Sequence, residues 1–130
     1  MAKYIDLPTK LPRELKNIQN FGVQCPRQEK AKAKRLLVVL DYVPTEDLRT
    51  KKLLATATGE TYKNMVAHVK NVYDLDKGFD SFDYLIVNFH SVKVAGLSED
   101  LRKSALNTFG KRLDRIIADY EPDFVMCHGL

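Results

Sequence analysis

The sequence predicts an α/β fold: a three-layer α/β/α domain on a short parallel sheet. Three observations predict it. Two apolar runs, Leu36 to Val43 and Tyr84 to Phe89, are near-continuous rather than alternating, as strands buried on both faces are. A shorter run of the same kind, Phe124 to Cys127, follows near the C-terminus. The intervening segments are long enough for crossovers, giving a β-loop-α-β-α-β order with parallel strands joined in the right-handed sense. The first of the three strands is expected at the centre.

Each element has its own justification. Residues 1 to about 11 read as extended or irregular, punctuated by Pro8. Pro12 suits the first turn of a short helix over Arg13 to Asn20, with Leu15 and Ile18 on one face and Asn20-Phe21-Gly22 as its stop. Cys25 to Arg35 is a polar, basic lead-in, with Cys25 in a loop before Pro26. Pro44 ends the first strand, and a long loop to Gly59 precedes a helix over Thr61 to Tyr73, striped by Met65, Val66, Val69 and Val72. After the second strand and a loop to Leu97, Ser98 is an N-cap and Glu99 and Asp100 suit the positive end of a helix dipole. That helix runs to about Tyr120, with Leu101, Ala105, Phe109, Leu113, Ile116 and Ile117 inward, and Lys103, Lys111, Arg112 and Arg115 outward. Glu121-Pro122-Asp123 stops it. The chain thus divides into residues 1–35, an N-terminal extension, and 36–130, the α/β domain.

Composition narrows the function classes. The net charge of +4 permits a phosphate-backbone partner without arguing for one. No apolar run approaches the ~20 residues that cross a bilayer, and the first residues lack the apolar core of a signal peptide, so the expectation is a cytoplasmic protein with no membrane partner. The two cysteines, Cys25 and Cys127, lie far apart, and no ligand set suits zinc or an iron–sulfur cluster. No metal and no cofactor is expected. There is no P-loop, dinucleotide fingerprint or nucleophile elbow.

In an open α/β sheet, ligands sit beyond the carboxyl ends of the strands. That rule singles out Asp41, Tyr42, Glu46 and Asp47 after the first strand, and Asn88, Phe89 and His90 at the end of the second. Asp41 and Glu46 are candidate acid/base carboxylates; Glu46 and Asp47 read equally as the start of a short helix capped by Thr45. Asn88 can donate and accept at once, which suits reading a base edge; it reads otherwise as an amide tying down the next loop. His90 and His128 stand at strand ends, within reach of acid/base work or of loop hydrogen bonding. Arg27, Lys30, Lys32, Lys34 and Arg35 are the candidate contacts to a DNA backbone, against a solvated lead-in.

The ordered set of motifs resembles uracil-DNA glycosylase superfamily domains over residues 36 to 129. LDYVPTED stands where that family has a strand and an acidic loop, and LATATGETY is similar to its small-residue segment before a helix. YLIVN matches its Asn-ended strand, and EPDFVMCHG its later Pro-led strand. The resemblance implies that Asn88 reads the uracil edge, that Asp41 or Glu46 stands near the water-activating acid, and that Tyr42 or Phe89 substitutes for a stacking aromatic replaced by Leu54. The family's cluster cysteines are absent, and its late His motif would lie beyond Leu130. The chain therefore reads either as a piece of a longer protein or as a short relative without the chemistry. Degenerate domains of this kind also resemble the front ends of some phage DNA polymerases. The functional expectation is a DNA-associated, glycosylase-like domain without glycosylase activity of its own, acting in phage DNA replication or repair. The alternatives are a protein-interaction module that docks a replication or host factor, either monomeric or pairing through an exposed third-strand edge, and a small-molecule enzyme using Asp41, His90 and His128.

Overall fold

In the computed structural model, residues 3–41, 51–53 and 81–128 are described. They form a mixed α/β fold: five strands in one open sheet and a long helix. The strands are β1 (Lys3–Asp6), β2 (Gln24–Gln28), β3 (Arg35–Leu40), β4 (Asp83–Asn88) and β5 (Phe124–His128), in the order β1-β2-β4-β3-β5. The helix, α1, spans Glu99–Tyr120.

The three strands read from the sequence form the parallel part. β3 lies between β4 and β5, with Leu36 opposite Tyr84 on one side and Phe124 on the other. It is therefore central among the parallel strands, while β4 is the middle strand of all five. Leu36 to Leu40 and all six residues of β4 are buried, which is why both runs are apolar without alternation. β5 ends the strand order among the described residues.

The sheet also has an antiparallel half. β1 pairs with β2, Ile5 opposite Cys25, and β2 pairs with β4, Arg27 opposite Leu85. Cys25, expected in a loop, is instead a fully buried strand residue. Pro26 lacks a backbone donor, which demotes the run in a sequence reading. The strand accommodates it because the β2–β4 register begins one residue later, at Arg27. The helix expected over Arg13 to Asn20 is a single 3-10 turn, Arg13–Leu15. Its bonds are i to i−3, such as Leu15 N–H to the Pro12 carbonyl at 3.0 Å. So short a segment does not sustain an α-helix by itself; buried Leu15 anchors it beside Val92, Ala105 and Phe109.

α1 starts at Ser98, whose Oγ accepts from the Leu101 N–H at 3.3 Å, and ends at Glu121 in the left-handed region, followed by Pro122. It buries Ala105, Phe109, Arg112, Ile116 and Tyr120, a stripe at helical spacing. Ile116 and Tyr120 pack on the apolar residues of β3 and β4. Arg112, assigned to the outer face in the sequence reading, lies in the buried stripe at 5% exposure.

The loop after Pro44, the helix over Thr61 to Tyr73, and Tyr42, Glu46, Asp47 and Leu54 lie outside the described residues. No described helix is long and apolar enough to cross a membrane.

Candidate functional site

Parallel register brings several candidate residues to one end of the sheet. Asn88 stands beside Leu40, and Leu40 beside His128. Just past these strand ends, Phe89 N–H donates to the Leu40 carbonyl at 2.7 Å and His90 N–H to the Asp41 carbonyl at 3.2 Å. These bonds carry the pairing one step beyond the strands, so Asp41, Asn88, Phe89 and His90 share one rim.

The amide of Asn88 is 2% exposed. Its Nδ2 donates to the His90 carbonyl at 3.0 Å, which ties down the loop, and the Cys25 thiol approaches Oδ1 at 3.9 Å. A sulfur donor at that distance is weak, so the carbonyl end of the amide is lightly engaged. Burial pushes the Cys25 thiol up to about 11, so it is a thiol, not a thiolate, at neutral pH.

His90 Nδ1 lies 3.3 Å from the Asp41 carbonyl and 3.6 Å from its carboxylate. With its proton on Nδ1, the ring donates to Asp41 and keeps Nε2 as an acceptor. The ring packs edge-on against Phe89 and Phe109, with centroids at 4.6 and 5.6 Å. An imidazole braced by two aromatics and a carboxylate is fixed in orientation, as recognition of a flat ligand requires.

Beside this rim opens a cleft of about 310 Å³, lined by residues 6–9 and 20–23 and by Asn88, Ser91 and Arg112. The Arg112 guanidinium is its charged wall. Nε and Nη2 donate to the Leu7 carbonyl at 3.2 and 2.9 Å, and Nη1 to the Asn88 carbonyl at 2.6 Å. Burial lowers its pKa below the usual arginine value, opposed by the neighbouring Cys25; an arginine nonetheless stays protonated in proteins. The Ser91 hydroxyl donates to the Asn20 side-chain carbonyl, and Thr9 Oγ1 is buried with no hydrogen-bond partner among the described residues.

Arg112, Asn20 and Ser91 escaped the sequence reading. The signal for Arg112 was present: it falls at i+7 from Ala105, in the phase of Phe109 and Ile116.

The basic residues gather at the opposite end. Arg35 pairs with Asp83 at the start of the strands, whereas Asn88 ends β4. Five residues of strand separate the two groups, roughly 16 Å. There, Arg27 donates to Asp83 Oδ1 at 2.7 Å and Arg35 to the Tyr120 carbonyl at 2.7 Å. Both guanidinium groups also lie against the Tyr120 ring, at 4.9 and 5.8 Å. Lys30, Lys32 and Lys34 are exposed on the turn into β3, with Lys32 at φ 64°.

Among the described residues, no three His, Cys, Asp or Glu side chains converge as a metal site. The chain matches no protein-family model and no curated protein.

Proposed function

We propose that the chain is a nucleic-acid-associated, non-catalytic domain that receives an unstacked base at the rim formed by β3 and β4. The observation that carries this reading is the placement of Asn88: a buried amide at a strand's carboxyl end, lining an open cleft, with the Phe89–His90 aromatic pair next to it. Amide plus aromatic is the chemistry that reads a base edge and stacks its face. The proposal includes a three-layer, glycosylase-like arrangement centred on β4, β3 and β5. It does not include glycosylase chemistry, because Leu54 stands where the resemblance expects the aromatic that stacks on the base.

Exposed Lys30, Lys32 and Lys34 form a separate phosphate footprint. The two ends are roughly 16 Å apart, a span that a few nucleotides of single strand cover. A ten-residue strand is long enough to engage both ends.

The experiment is a titration with labelled single- and double-stranded DNA, with and without uracil, at two salt concentrations. The ten-residue strand is expected to bind more weakly as salt rises, and replacing the three lysines with alanine to lower the log–log salt slope by about 2. Asn88→Ala is expected to remove any preference for uracil, and no uracil release is expected from the wild-type chain. Absent or salt-independent binding overturns the reading and favours a protein-docking domain, for which partner capture is the next step.

A further inference from the structure

The cleft wall contains a buried positive charge. Arg112 is 5% exposed and forms part of the cleft wall. It donates to the backbone carbonyls of Leu7 and Asn88 and is hydrogen-bonded to the Cys25 thiol. Carbonyls satisfy N–H groups but carry no net charge. Among the described residues no carboxylate pairs with Arg112. Cys25, which neighbours it, supplies no thiolate at neutral pH. A buried cation without a counter-charge is costly, and a guanidinium with N–H groups left over is suited to a planar or tetrahedral oxyanion.

The rest of the lining suits a small polar ligand. Asn20, Asn88 and Ser91 supply neutral hydrogen-bonding groups, and Phe21 an apolar wall. Asp6, exposed at the end of β1, is the one negative charge on the lining among the described residues. A ligand with a single anionic end is therefore favoured over one charged throughout.

We propose that this cleft binds a small ligand through one oxyanion group, a carboxylate or a phosphate, docked on Arg112, with a hydroxyl or amine of the ligand facing Asp6. This site shares Asn88 and the cleft with the base-reading rim, but its anchor is Arg112, which the rim does not use, and its test involves no DNA.

The test is a titration of the full, ¹⁵N-labelled chain with sodium phosphate, sodium acetate and sodium chloride at constant ionic strength, following the Arg112 Nε–H resonance. A saturable shift with phosphate, with acetate or with both supports the site, and the pattern separates phosphate-bearing from carboxylate-bearing ligands. No saturable shift with either oxyanion, or an equal response to chloride, overturns it.

Arg112→Lys keeps the charge but loses the fork, and is expected to weaken binding about tenfold. If that variant does not fold, Gly22 provides a second route, because a Cβ added there meets no atom within 4 Å. Gly22→Glu puts a competing carboxylate at the cleft and is expected to weaken binding about tenfold, whereas Gly22→Lys leaves it unchanged or tighter. Equal weakening by both Gly22 variants would mean that filled space rather than charge governs the cleft, and would overturn the proposal. Asp6→Asn removes the like charge and is expected to tighten binding severalfold.

Discussion

Asp83 opens β4 and takes donors from three directions. Arg27 reaches Oδ1 at 2.7 Å, the Lys30 N–H reaches Oδ2 at 3.0 Å, and the Tyr120 hydroxyl lies 2.6 Å from Oδ1. Burial pushes the carboxyl's pKa up, but the bonds from Tyr120, Lys30 and Arg27 outweigh burial and bring it below the usual value of 3.8. The carboxylate therefore ionises more readily in the folded chain than in the unfolded one. Its contribution is present above the unfolded pKa and is lost as pH falls through the lower, folded value. Urea midpoints of wild type and Asp83→Asn are expected to differ most at neutral pH and to converge from about pH 4 downward. A difference independent of pH would refute this. Thr9 presents the opposite case. Its hydroxyl is buried without a partner among the described residues, and an unsatisfied buried group costs about 1–3 kcal/mol. Thr9→Val keeps the shape and removes the polar atom, so a higher melting temperature is expected by calorimetry.

At the scale of elements, legibility followed how locally each one is stabilised. α1 was readable because its start, stop and apolar phase are written within its own residues; Ser98→Ala is expected to cost about 1 kcal/mol of stability in urea titration, through the lost bond to Leu101. β3 and β4 were readable because burial on both faces leaves an unbroken apolar run. β1 and β2 were not, because their stabilisation comes from partners distant in sequence. Gln24–Gln28 is polar and contains proline, and it is a strand because Arg27 and Gln28 pair with Leu85 and Tyr84. The site divides in the same way. Asn88, Phe89, His90 and Asp41 come together because strand ends in register must meet. The cleft was not legible because Arg112 finds its acceptors in the carbonyls of Leu7 and Asn88, and backbone acceptors leave no trace in side-chain identity.

For the whole molecule, the two thiols report on how the fold opens. Cys25 is fully buried and Cys127 exposed. Alkylation at neutral pH is expected to modify Cys127 quickly. Cys25 should react only through opening of the sheet, more slowly by a factor that tracks global stability across urea concentrations. Equal rates would mean that β1 and β2 detach independently of the rest. Sheet order also bears on the time course of folding. β2 is made early in the chain, yet its inner neighbour β4 begins 55 residues after β2 ends, at Asp83 against Gln28. Until β4 emerges, β1 and β2 are a two-stranded ribbon, a unit that is marginal in water by itself and offers a free edge to other chains. Sheet closure therefore waits on a long-range encounter, which slows folding and lengthens the interval in which nascent chains are prone to aggregate.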